Sequence, residues 1–195
     1  PDGEVEFVFD RSAARAAIGE DGSREFEDGD RIGLYVFGSP SQHFVLTREN
    51  GAWRPKLKKS DLGDGKISAY YPAREDVRPE ENRHIHAVAS DQSGEGYAES
   101  DMLWAHREID LSTVSNRIEL PFAHGMHRLK IRLTSADGEL PEDLSVEVRN
   151  RNEGSFSLFT GTPQDPETDE VWITPPAGVD VVMAAPRMIG KGVRE

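Results

Sequence analysis

The sequence predicts an all-β protein made of sandwiches, and three observations carry that expectation. Apolar residues alternate with polar ones at period two from the start, since Val5, Phe7 and Phe9 share one face and Ile32, Leu34 and Val36 repeat the pattern. The 12 prolines and 18 glycines fall mostly between such runs, so short strands are punctuated by turns. Helical signal is confined to Ser12–Ala17, alanine-rich and followed by Gly19, which reads equally as a short helix with a glycine stop or as a loop. Short strands with regular turns argue for a sandwich over alternating strand and helix units.

In order, strands are expected at Val5–Phe9, at Arg31–Phe37, and at Phe44–Leu46 with Trp53 across a hairpin at Glu49-Asn50-Gly51. The Asn-Gly pair signals that hairpin because a type I′ turn needs positive φ at both central residues. Next come Ile67–Tyr71, Ile85–Ala89, Met102–Ala105 and Asn116–Phe122, where Pro121 interrupts an otherwise central-looking strand. Arg128–Thr134 alternates Leu129, Ile131 and Leu133 against Lys130 and Arg132, and Ser145–Arg149 sets Val146 and Val148 against Glu147. Ser155–Phe159, Val171–Thr174 and Val179–Ala184 complete the set. A chain of 195 residues suits one large domain or two small ones. The block up to Phe122 supplies enough strands for one sandwich, so the expected division is 1–125 and 126–195, the second sandwich lacking its last strands in this chain. Such an incomplete sheet leaves an unpaired edge, which is an aggregation hazard or a docking site.

Composition excludes several functions. With 23 Lys plus Arg against 36 Asp plus Glu, the formal charge of -13 argues against a nucleic-acid partner and against an anionic membrane surface. No run approaches the roughly 20 apolar residues that span a bilayer as a helix. Zero cysteines exclude a disulfide framework, a thiolate metal site and a cysteine nucleophile. The start at Pro1-Asp2-Gly3, without initiator methionine or apolar leader, reads as a processed form or a trimmed piece of a longer chain.

Candidate chemistry is thin. His84-x-His86 on a strand puts two imidazoles on one sheet face, and His124-x-x-His127 offers further ligands, but no spacing matches a zinc site. The acidic stretches Asp61–Gly65 and Asp165–Glu170 carry oxygen ligands for calcium without the spacing of a calcium loop, and they serve equally as solvated turns. Without a nucleophile elbow, a phosphate loop or an arguable carboxylate pair, the chain is read as a non-enzyme with no cofactor. Tyr70, Tyr71, Tyr97, Trp53, Trp104 and Trp172 offer faces on which a sugar could stack. Trp104 and Tyr70 lie inside apolar runs and are expected in the core, leaving Trp53, beside the Asn-Gly turn, as the possible ligand aromatic of a surface carbohydrate-binding module.

Four segments in fixed order are less generic: Phe26-Glu27-Asp28-Gly29-Asp30-Arg31-Ile32-Gly33-Leu34-Tyr35, Ala69-Tyr70-Tyr71-Pro72, Ser100-Asp101-Met102-Leu103-Trp104-Ala105 and Leu120-Pro121-Phe122-Ala123-His124-Gly125-Met126-His127-Arg128-Leu129-Lys130-Ile131. Gly33 on its strand signals a close backbone approach or a bulge, and Tyr-Tyr-Pro ends a strand because proline donates nothing to the ladder. Together the segments resemble the fimbrillin-like family of Bacteroidetes surface proteins; Gly125 and Arg128 stand where that family more often has alanine and lysine. The resemblance implies two tandem transthyretin-like β-sandwich domains and a structural or adhesive subunit of cell-surface fimbriae. It implies export by a signal peptide absent from this chain, and an outer-membrane location through a lipid anchor upstream of Pro1. The implied partners are other fimbrial subunits, with a host or bacterial surface glycan or protein as adhesion target.

The resemblance also implies assembly triggered by a protease that trims an N-terminal strand, after which another subunit's strand fills the groove. Here the removable strand is expected to be Val5, Phe7 and Phe9 with their neighbours. The processing site is expected at Arg15, flanked by small residues, with Arg24 as runner-up, because backbone pairing protects Arg31 on its strand. Val5–Phe9 reads equally as an ordinary first strand followed by an exposed loop.

Overall fold

The computed structural model describes residues 3–10, 25–74, 77, 83–89, 100–125, 132–135, 138–149, 153–161, 170–174 and 181–184. Its elements are β1 (Glu4–Asp10), β2 (Arg31–Phe37), β3 (Gln42–Glu49), β4 (Ala52–Arg54), β5 (Leu57–Lys58), a 3-10 turn (Lys59–Leu62), β6 (Lys66–Tyr71), β7 (Arg83–Ala87) and β8 (Leu103–Glu108). They continue as β9 (Arg117–Pro121), β10 (Ala123–His124), β11 (Arg132–Ser135), β12 (Ser145–Arg149), β13 (Glu153–Ser157), β14 (Glu170–Thr174) and β15 (Val181–Ala184). The protein is all-β, as its alternating pattern requires. Ser12–Ala17 lies outside the described residues.

The chain forms two compact units: Pro1–Met126 with Glu153–Asp165, and His127–Asn152 with Pro166–Glu195. The first unit draws a strand from beyond residue 125, because β13 pairs antiparallel with β7 from Glu153↔Ala87 to Ser157↔Arg83. In the second unit β11 pairs with β15 and β12 with β14, both antiparallel.

Two sheets build the sandwich of the first unit, a three-stranded one ordered β5-β1-β9 and a six-stranded one ordered β10-β8-β6-β2-β3-β4. Between them Val5, Phe7, Phe9, Leu57, Ile118 and Leu120 of the smaller sheet meet Ile32, Leu34, Val36, Leu46, Ile67 and Leu103 of the larger in one apolar cluster. The other face of the larger sheet is covered too, where Tyr35, Phe37, Tyr70, Met102 and Trp104 pack with Phe156 and Leu158. Hence β2 is buried on both faces, which its apolar run Ile-Gly-Leu-Tyr-Val-Phe permits. Gly33 makes the close approach its position signals: a Cβ there would lie 2.1 Å from Cε1 of Tyr70.

The hairpin at Asn50-Gly51 forms as expected, with φ of 50° and 76°. Pro121 ends β9 at the margin of the three-stranded sheet, where a missing donor costs no ladder bond. β5 and β10, each two residues long, fall below the length at which alternation is visible. β7 and β13 each begin two residues earlier than their apolar runs, because the main-chain register pairs polar ends as readily as apolar ones.

The four sequence segments are joined in space. Asp28 accepts hydrogen bonds from the amides of Asn50 and Gly51, both at 3.0 Å, and so clamps the hairpin turn. Asp30 accepts one from Glu27 N at 2.8 Å and one from the Tyr71 hydroxyl at 3.1 Å, tying the first segment to the Tyr-Tyr-Pro segment. Asp101 and His124 Nδ1 meet at 2.7 Å, tying the third to the fourth. These residues hold the framework together.

Candidate functional site

β1 is the element on which the expected chemistry of strands converges. Its sequence Glu-Val-Glu-Phe-Val-Phe-Asp sends Val5, Phe7 and Phe9 inward, where they are 3%, 6% and 8% exposed. Phe9 stacks at 5.8 Å on Phe7 and 5.7 Å on Phe122, and meets Trp53 edge-on at 5.1 Å. Burying three such side chains is worth roughly 1.5–3 kcal/mol apiece.

The main chain of β1 is held unequally on its two sides. On one side it runs parallel to β9 from Glu6↔Arg117 to Asp10↔Pro121. Glu6 N donates to Asn116 O and Phe122 N donates to Asp10 O, both at 2.7 Å. In this parallel register the even-numbered residues bond to β9, so the amides and carbonyls of Phe7 and Phe9 point to the other side. On that side β5 pairs with Glu4 and Val5 alone. The pairing stops there because the residue preceding Lys56 is Pro55, which has no N–H to offer.

Beyond Val5 this side opens into a groove with a cavity volume of about 750 Å³, lined by β1, by Ala52–Lys56 and by the approach to β9 at 115–117. Its rim is charged. Lys56 Nζ donates to Glu4 Oε2 at 2.9 Å, and that bond, with the ammonium charge behind it, holds the Glu4 carboxyl below its ordinary range. Arg117 lies 3.9 Å from Glu6 and 3.3 Å from Glu119. Arg54 forms no ion pair among the described residues.

Of the residues singled out from sequence, the structure brings Val5, Phe7 and Phe9 together with Trp53. Trp53 corrects the expectation of an exposed aromatic: it is 9% exposed, closed in edge-on by Phe9 and by Phe26 at 5.4 Å. The Asn-Gly turn sits at the surface, but the strand leaving it carries the indole inward, where Phe26 and Phe9 shield it from a sugar. Trp104 and Tyr70 are buried as expected, at 6% and 0% exposed. Arg15, Arg24, Tyr97, His127 and the Asp165–Asp169 stretch lie outside the described residues.

His84 and His86 do face one side, and both are buried while Ile85 between them is 40% exposed. Their partners are protein groups: His84 Nδ1 with the Tyr35 hydroxyl at 3.1 Å, and His86 Nε2 with Ser100 O at 3.0 Å. Among the described residues no three His, Asp or Glu side chains converge as a metal site would require. Asp61 and Asp64 accept the amides of Lys58 and Lys66, so each closes a local turn.

Sequence reasoning missed the basic rim of the groove. The signal was present, since Arg54, Lys56, Lys58 and Lys59 put four cations into six residues of a strongly acidic chain.

Residues 14–186 match the fimbrillin-like family. The chain belongs to that family. As a fimbrillin-like protein it is of the fimbrial and adhesive subunit class of the cell surface, and not of an enzyme class. No curated protein matches its sequence. Among solved structures, a candidate cell adhesion protein from Bacteroides thetaiotaomicron is similar at 15% identity, with a TM-score of 0.43, over 90% of this chain and 69% of that one.

Proposed function

We propose that this fimbrillin-like chain assembles into fimbriae by strand exchange at β1. In this reading a protease cuts after Arg15, or after Arg24 as runner-up, and β1 leaves. A strand of another subunit then takes its place beside β9. One observation supports it above the others: β1 supplies Val5, Phe7 and Phe9 to the core and is tied to its neighbours by main-chain pairing and by exposed ion pairs at Glu4 and Glu6. Any strand with the same alternation reproduces those contacts. Two further parts belong to the same reading. The mature chain hangs from the outer membrane by a lipid anchor upstream of Pro1, and two tandem domains divide at 125/126, with the 153–165 segment returning to the first.

The test treats the pure chain with an arginine-specific protease, maps the new N-terminus and follows size by light scattering. Growth that begins with cleavage after Arg15 or Arg24 supports the reading. Unchanged processing and growth in an Arg15→Ala, Arg24→Ala double variant show that the site is elsewhere. The boundary predicts a stable fragment ending near 123–127, or a first cut in the 163–170 stretch; early cleavage inside β2 contradicts it.

A further inference from the structure

We propose that, with β1 still in place, the groove beside it binds an extended acidic peptide as an added strand. The inference goes beyond the exchange reading, which needs β1 removed.

Two independent features select that occupant. The first is the open edge: the amides and carbonyls of Phe7 and Phe9 point into the groove, and among the described residues no strand pairs with them there. Such an edge is read by another main chain in extended form, whose alternating donors and acceptors match it. The second is charge. The groove is lined by Arg48, Arg54, Lys56 and Arg117 against Glu4 and Glu6, an excess of cations in a chain whose net charge is -13. Arg48, Lys56 and Arg117 have carboxylate neighbours at 4.0, 2.9 and 3.3 Å, whereas Arg54, whose charge also reaches Glu4, forms no close ion pair among the described residues.

An incoming strand antiparallel to β1 continues the line of β5 past Pro55, making the ladder bonds that proline cannot. Carboxylates at alternate positions then stand over the basic rim. A strand bearing lysines meets repulsion there instead, so the same rim that attracts one sequence rejects the other. A free anion or a sulfated sugar satisfies the charge but leaves the edge unread.

The experiment uses the intact, untrimmed chain and a dye-labelled heptapeptide alternating valine and glutamate, followed by fluorescence anisotropy at low salt. Saturable binding is expected, weakening as salt rises and about fivefold weaker in Arg54→Glu, with Arg54→Gln between the two. The valine–lysine heptapeptide and a glutamate heptapeptide N-methylated along one edge are expected not to saturate at about tenfold higher concentration. Equal binding of the N-methylated peptide overturns the proposal because main-chain pairing is then not used. Equal binding of the lysine peptide overturns it because charge is then not read. Binding of a sulfated oligosaccharide without the acidic peptide replaces the occupant and also overturns it. If arginine-specific trimming triggers no polymer but the intact chain binds the peptide, the exchange reading fails while this one stands.

Discussion

The two faces of the six-stranded sheet are both buried, but by opposite means. The inner face, toward β1, is closed by apolar side chains, aliphatic and aromatic alike, with Ile32, Leu34, Val36, Ile67 and Leu103 against Val5, Phe7, Phe9, Ile118 and Leu120. The outer face, toward β7 and β13, is closed by rings and hydrogen bonds. Ser68 Oγ donates to Leu158 O at 2.6 Å, Tyr35 bonds His84 at 3.1 Å, and Arg74 Nη1 donates to Ile85 O at 3.0 Å. Dispersion and burial do not ask which strand supplies the methyl or the ring, whereas a buried hydrogen bond asks for one atom in one place. The outer cover is therefore tied to particular atoms, whereas the inner cover asks mainly for apolar shape.

The outer bonds also fix proton positions. The Ser68 hydroxyl spends its proton on Leu158 O, so His106 Nδ1, 2.7 Å away, is the donor to Ser68 Oγ. The Tyr70 hydroxyl donates to Arg74 O and accepts from Arg74 N, so His43 Nε2 at 3.0 Å donates to its remaining lone pair. Burial lowers His43 to about 4, and lowers His86 and His106 as well.

Several measurements break or sharpen this contrast. The largest effect is expected on the inner face: Phe7→Ala in the intact chain should cost about 3–5 kcal/mol in urea unfolding, whereas Phe7→Leu, which keeps most of the volume, should cost less than about 1.5 kcal/mol. Gly33→Ala comes next, at about 1–3 kcal/mol, because the added methyl drives into the Tyr70 ring on the outer face. Tyr35→Phe preserves shape and removes one hydroxyl, and its loss of about 1 kcal/mol should appear although no volume has changed. A loss at Phe7→Leu as large as that at Phe7→Ala, or no loss at Tyr35→Phe, would remove the distinction between the two faces.

Acidification acts on the outer face by the smallest and most gradual route. Because His43, His86 and His106 have lowered values in the folded state, the unfolded chain binds more protons in the window below its own histidine value of about 6.5. Stability therefore falls as pH drops through that value, and the His43 contribution levels off below about 4. Urea midpoints measured across this window should fall, and histidine ring proton resonances should place the change at these three residues. A flat profile contradicts it.

How much of this was legible depended on whether period two survived. In β1 it did, and β2 and β12 match the expected runs residue for residue. The Asn50-Gly51 turn was legible because only particular residues accept its backbone. Trp53 was misplaced because proximity to a turn says nothing of which face the next residue takes, and Phe26, which covers it, lies outside the strands, ahead of β2. The outer layer was hidden since His84 and His86 are the buried partners in β7 and Ile85 the exposed one, the reverse of hydropathy. The pairing of β13 with β7, across more than sixty positions of sequence, leaves no local mark.

The central claim, that the inner cover is exchangeable, is tested most directly by competition. Trim the chain with the arginine-specific protease and follow growth by light scattering in the presence of a synthetic heptapeptide with the sequence of Glu4–Asp10. The account predicts that this peptide caps the vacated groove and arrests growth, and that a version with alanine at the positions of Val5, Phe7 and Phe9 does not. Growth indifferent to the peptide, or a trimmed chain that stays monomeric without it, would contradict the account.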